Sequence, residues 1–167
     1  EALALGRRVQ RLADVVFGDA IVRKAAELAD RSLKAMLAAA KPGAFEGDIA
    51  AAGIVPILAG GGDPPPSGPV LGSGDRALLV RSATGFRHLS PVDQLTMEFA
   101  ASYRHYCACL MRTVAVGKAN DAQRHMFDTT RDALAAMTEA ARPGRPLGEI
   151  DAAHRRIYDE AGFGHAR

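Results

Sequence analysis

Between Asp93 and Gly117 apolar and polar side chains alternate. Leu95, Met97 and Phe99 interleave with Gln94, Thr96 and Glu98, the period-two pattern of a half-buried strand. A second run rich in Tyr, Cys and Val follows Ser102, and the two together predict a β-hairpin. On such a hairpin Glu98 lies on the face opposite Met97, while His105, Cys107, Cys109 and Met111 fall on one side of the returning strand. A carboxylate, an imidazole and two thiols are therefore expected on one sheet surface.

Elsewhere the pattern has a helical period. Leu3, Leu5, Val9, Leu12 and Val16 predict a helix over residues 2–17 that Gly18 ends. A longer helix follows from about Ile21 to Ala40, with Leu28, Leu33, Met36 and Leu37 on its apolar stripe and Lys41-Pro42-Gly43 as its stop. A further helical piece begins near Glu46 and runs to Gly53 or Pro56. The run from Gly60 to Gly68 holds too many Gly and Pro residues for a regular element. It is no phosphate loop, since Gly60-Gly61-Gly62 lacks a following Lys-Ser/Thr. Val70-Leu71 and Ala77–Val80 read as short strands on either side of Gly72-Ser73-Gly74. Past the hairpin, Asn120 or Asp121 caps a helix extending to about Ala141, and a last amphipathic helix over about 147–161 carries Ile150, Ala153 and Ile157 on one face.

The helical segments repeat. Arg31–Gly43 laid over Asp132–Gly144 matches at Leu, Ala, Met, Ala, Ala, Pro and Gly, and the same offset of 101 places Gly47-Asp48-Ile49 on Gly148-Glu149-Ile150. One constant offset across two helices and their turn indicates a duplicated helix-turn-helix unit rather than shared alanine content. In the first copy strands follow; in the second they do not, so an apolar helical face is expected to need cover from further chain or from a second protein.

Composition narrows the function classes. The 167 residues are 48% hydrophobic and 24% charged, which is globular rather than disordered, and the net charge of +2 comes without a basic run, so no nucleic-acid partner is expected. No apolar run reaches the roughly 18–20 residues of a membrane span, and Glu1–Arg8 lacks the order of a secretory signal, so a cytoplasmic protein is expected. Cys107 and Cys109 are the only cysteines, and a bridge between residues i and i+2 of a strand is strained, which predicts reduced thiols. His105 as a base for Cys109 is disfavoured because four strand residues separate them by about 13 Å.

Helices and a hairpin duplicated in this order, with Pro-Gly breaks after the long helices, resemble the "pita-bread" fold of the creatinase, prolidase and methionine aminopeptidase family. This is an α+β fold with an internal pseudo-two-fold repeat, here with its second half truncated. The resemblance is sharpest over residues 93–117. Metal-dependent members carry a strand ending in Asp, a Gly-Tyr pair, a second Asp eleven residues after the first, and then Arg-Thr. This chain has Glu98, His105-Tyr106, Cys109 and Arg112-Thr113 in that frame. The run from Gly60 through Gly72-Ser73-Gly74 to Tyr106 is most similar to the ectoine hydrolase-like branch.

The resemblance implies residues 1–20 as a remnant of the N-terminal lobe or a linker, and residues 21–167 as a partial catalytic domain. It implies a homodimeric hydrolase of a small-molecule C–N bond in an amide, a cyclic amidine or an Xaa-Pro peptide. Its substrate pocket would hold Arg81, Glu98, His105, Tyr106 and Cys109, with Arg112 as structural support and the catalytic residues supplied from beyond Arg167. Family dimetal sites use two Asp, one His and two Glu. Cys109 stands where a bridging carboxylate belongs and Arg81 where many members carry a catalytic His, so no cofactor is expected. Divalent manganese, cobalt or zinc would bind only if Glu98 and ligands beyond Arg167 formed a reduced site. A further departure is that Gly18-Asp19-Ala20 stands where members carry Lys-Ser-Pro-x-Glu-Ile. His125 and His154 are expected on solvated helix faces, and His165 is not equated with the family's metal His. The alternative is a catalytically inactive binding or scaffold protein that kept the fold.

Overall fold

The computed structural model describes residues 2–65, 67–79 and 84–164, with side chains in the first helix from residue 19 onward. The chain forms two compact units, residues 1–118 and 119–167. The first contains α1 (Ala2–Ala39), α2 (Glu46–Ala59), β1 (Val70–Ser73), a 3₁₀ turn (Gly74–Leu78), β2 (Gln94–Tyr103) and β3 (Tyr106–Ala115). The second contains α3 (Asp121–Ala140) and α4 (Leu147–Glu160).

The three strands form an antiparallel sheet in the order β1-β2-β3, and the alternation seen in the sequence decides which face is covered. Leu95, Met97, Phe99 and Ala101 of β2, with Leu71 of β1, are buried on one face, where Leu28 and Met36 of α1 and Ile49 and Ile57 of α2 join the same core. Each of these large aliphatic side chains contributes about 1.5–3 kcal/mol by leaving water. Sheet and helices thus make a two-layer body with one sheet face inward and the other outward.

The hairpin closes through Arg104-His105, both in the left-handed region at φ 50° and 68°. Positive φ at both central residues defines the two-residue turn whose twist matches that of the strands. His105 therefore sits at the tip, so the predicted placement of its side chain in line with Cys107 does not hold.

Three other expectations shift. α1 runs unbroken through Gly18, because a lone glycine costs a helix only about 1 kcal/mol. α2 continues past Gly53 and through Pro56 to Ala59, with Ile57 fully buried just beyond the proline. The segment expected as a strand from Ala77 is instead a 3₁₀ turn folded over the sheet's outer face, where Thr96 Oγ1 donates to the Ala77 carbonyl at 3.0 Å. Gly72 makes this approach possible, since a Cβ there would lie 2.5 Å from the Arg76 carbonyl oxygen.

The duplication is visible in the backbone. α1 and α3 end 101 residues apart, α2 and α4 begin and end 101 residues apart, and the intervening turns use Gly43 at φ 85° and Gly144 at φ 83°. α3 opens with a capping box in which Asn120 Oδ1 accepts from the Gln123 amide at 2.8 Å and Gln123 Oε1 accepts from the Asn120 amide at 2.9 Å. α3 and α4 meet through Thr130 and Tyr158, whose hydroxyls are 3.0 Å apart, and through His125 Nε2 near the Ala161 carbonyl at 3.2 Å. His125 stacks at 5.0 Å on Phe163, and His154 at 4.6 Å on Tyr158. Leu33 packs against the first unit's core, whereas Leu134, its counterpart in the repeat, is 63% exposed.

Candidate active site on the outer sheet face

The β2–β3 register settles which predicted residues share a surface. Glu98 pairs with Met111, Ala100 with Cys109 and Ser102 with Cys107, without a bulge, and directly opposed residues point to the same face. Glu98, Cys107, Cys109 and Met111 therefore lie together outward, with Cys109 the diagonal neighbour of Glu98. Glu98 is half-buried, and both thiols are exposed and unbridged.

Tyr106 and Arg112 do not join them. Tyr106 pairs with Tyr103 and Arg112 with Met97, which places both on the inward side of the ladder, and Arg112 Nη1 donates to its neighbour's carbonyl, Met111 O, at 2.7 Å. His105 is exposed at the hairpin tip. Arg81 and His165 lie outside the described residues.

The 3₁₀ turn covers the outward face at Thr96, and Asp63 borders it at Ser102. Asp63 comes from the Gly/Pro-rich loop and pairs with the β2 edge: its amide donates to the Ser102 carbonyl at 2.9 Å. Its carboxylate accepts from the His105 amide at 2.7 Å and from Ser102 Oγ at 3.0 Å. These donors, the His105 amide foremost, hold the Asp63 carboxyl below its ordinary range. The loop that looked like mere breaker chemistry thus fixes the hairpin tip.

A second polar group, absent from the sequence-based expectations, lies under the other end of the sheet. Glu46, at the start of α2, is fully buried. Its Oε1 accepts from the Ser73 amide at 3.1 Å and Ser73 Oγ at 2.6 Å, and its Oε2 from Arg76 Nη1 at 2.9 Å and the Gly85 and Phe86 amides at 3.1 and 3.2 Å. Arg87 extends the chain of contacts, donating to Ser73 Oγ at 2.9 Å and pairing with Asp93 at 3.1 Å. Burial pushes the Glu46 carboxyl upward, but Ser73, the Phe86 amide, Arg76 and the Gly85 amide together outweigh it and hold the group below its usual range. Burial also raises Asp93, and Ser90 with Arg87 reverses the effect. One carboxylate thus ties the end of β1 to the backbone at Gly85 and Phe86.

Among the described residues, no three His, Cys, Asp or Glu side chains stand together as ligands for an ion. Glu98 and the two thiols share this outward face without forming such a group, and they differ in softness. No helix among the described residues is long and apolar enough to cross a membrane.

The sequence matches Metallopeptidase family M24 over residues 20–167. The chain belongs to that family, and its fold is the pita-bread fold. It is 29% identical over 144 residues to an Xaa-Pro dipeptidase of Pyrococcus furiosus, covering 86% of this chain and 41% of that one. The prolidase structure from Pyrococcus furiosus superposes with a TM-score of 0.79 over 87% of this chain and 43% of that one, at 29% identity. Dipeptidase PepE from Mycobacterium ulcerans gives a TM-score of 0.78 at 26% identity, covering 88% and 39%. The chain thus spans about two-fifths of the length of these relatives.

Proposed function

We propose that this chain supplies the first half of a hydrolase of small-molecule C–N bonds, acting on an Xaa-Pro peptide, another amide or a cyclic amidine. The observation that carries the reading is the outward face of β2–β3, where Glu98 and Cys109 occupy, as diagonal neighbours, the two frame positions that resemble the family's paired carboxylates. Membership in family M24 and the likeness to Xaa-Pro dipeptidases support the reaction class. The match beginning at residue 20 supports taking residues 21–167 as partial catalytic domain and residues 1–20 as linker or lobe remnant.

In this reading Glu98 forms part of the pocket floor and accepts a hydrogen bond from substrate. His105 bounds the pocket at the hairpin tip, and Arg81 grips a substrate carboxylate through two parallel N–H donors. Arg112 supports β3. The base and the oxyanion donors come from residues beyond Arg167.

The donor set argues against the dimetal centre that the family implies. A thiol is one soft donor and does not replace two hard carboxylate oxygens bridging manganese or cobalt. The hydrolase is further proposed to work as a cytoplasmic homodimer, and light scattering of the purified gene product should give twice the single-chain mass, a monomer mass overturning the assembly.

Cys109 and Arg81, at positions where the resemblance calls for an acid and a histidine, also favour a second reading: a binding protein that retains the fold without turnover. Assay of the cellular gene product against Xaa-Pro dipeptides, simple amides and cyclic amidines, with and without a chelator, decides between them. The proposal expects turnover of one class that the chelator leaves unchanged. Binding without turnover supports the scaffold reading, and strong dipeptidase activity abolished by the chelator overturns the metal-independent account.

A further inference from the structure

Cys107, Cys109 and Met111 occupy three successive outward positions of β3, and all three are exposed. Their cross-strand partners are Ser102, Ala100 and Glu98. Ser102 is buried and bonded to Asp63, and Ala100 is too small to overhang the thiols, so nothing on β2 covers the two sulfurs.

Pairing with β2 fixes the distance between the thiols. Alternate residues on a strand have Cα atoms, and nearly their Cβ atoms, about 6.8 Å apart. A disulfide needs Cβ atoms about 3.5–4.5 Å apart, so the ladder would have to break before the two could bridge. A single ion held between two thiolates needs far less approach: two metal–sulfur bonds of about 2.3 Å put the sulfurs about 4.6 Å apart. Two Sγ atoms that lean toward each other from neighbouring outward positions reach that separation with the strand intact. Met111, the next outward residue, presents a thioether on the same line.

We propose that Cys107 and Cys109 together bind one soft monovalent cation of the copper(I) or silver(I) kind, with Met111 as a third, weaker donor. Thiolates and thioethers favour such ions over manganese, magnesium or calcium, which prefer oxygen. Each thiol releases its proton to solvent as its sulfur–metal bond forms, so affinity rises with pH. The ion would sit on the same outward face as Glu98, and the thiol at Cys109 gives that face a soft-metal preference.

The test is an anaerobic titration of the reduced cellular gene product with copper(I) against a chromophoric copper(I) chelator, with native mass spectrometry for stoichiometry. One ion per single chain is expected. Cys107→Ser and Cys109→Ser should each weaken binding by about 100-fold or more, and Met111→Leu by about 10-fold, at or above the scale of supporting-residue losses. Excess manganese(II) should not displace the ion. Because all three side chains are exposed, unchanged circular dichroism of the variants is expected and confirms that folding is not the cause. Two ions per chain, single-cysteine variants that bind as tightly as the parent, or one ion shared between two chains would each overturn the proposal.

Discussion

Glu46 shows how much one side chain can decide. It is a fully buried carboxylate with five donors from Ser73, Arg76, Gly85 and Phe86, so its charge is retained inside the protein only because those partners converge. Glu46→Gln should destabilise the first unit by about 3 kcal/mol, the scale for breaking a buried charged pair, read as faster hydrogen exchange in β1 and β2 at neutral pH. Glu46 and Asp93 both titrate below their ordinary range when folded, so the unfolded chain binds their protons at higher pH. Their stabilisation is therefore full above about pH 5 and is lost as pH falls through about 4 toward the lowered folded values. Urea midpoints followed from pH 7 to 3 should show this acid limb, shallower in Glu46→Gln than in the parent. None of this was legible in the sequence, where an acidic residue at a helix start is ordinary. The partners lie 27 to 40 residues further along the chain, and only the folded path brings them to it.

At the scale of elements, the hairpin was legible because burial of one face imposes alternation on β2, and a slip of one residue would have exposed Leu95, Met97 and Phe99. Its turn was not, because Arg104-His105 is not a sequence that favours positive φ. Each such residue costs about 1–2 kcal/mol, and the Asp63–His105 hydrogen bond helps to hold the conformation. Replacing the pair by Asn-Gly should therefore stabilise the hairpin by about 1–2 kcal/mol in denaturant unfolding, and Asp63→Ala should destabilise it in the parent background. The 3₁₀ turn was missed for a related reason: Ala77 and its neighbours are as apolar as a strand, and Gly72, which lets the turn lie on the sheet, carries no side-chain signal. α3 behaves as its sequence suggests. Asn120→Ala should cost about 1 kcal/mol by removing the capping box, seen as faster exchange of the Gln123 and Arg124 amides.

At the scale of the molecule, the offset of 101 residues read from Pro-Gly turns and alanine-rich helices reappears in helix ends and glycine dihedrals. The repeat was legible because both copies must stop a helix and restart another within a few residues, a task that few sequences perform. The candidate site was legible in part. Alternation put the two thiols on one face of β3, with Tyr106 and Arg112 on the other, but whether Glu98 shares the thiols' face depends on where the turn falls, and the turn was the weak signal.

The central claim is that this outward face, with Glu98 at its middle, is the floor of an active site in an M24 hydrolase. The most direct measurement is kcat/KM of the cellular gene product, parent against Glu98→Gln, on whichever amide or Xaa-Pro substrate it turns over. The account predicts a loss of about 100-fold or more in the variant, the scale of one pre-organised polar group in a reaction site, with the variant's circular dichroism that of the folded parent. A variant as active as the parent, equally folded, would contradict it.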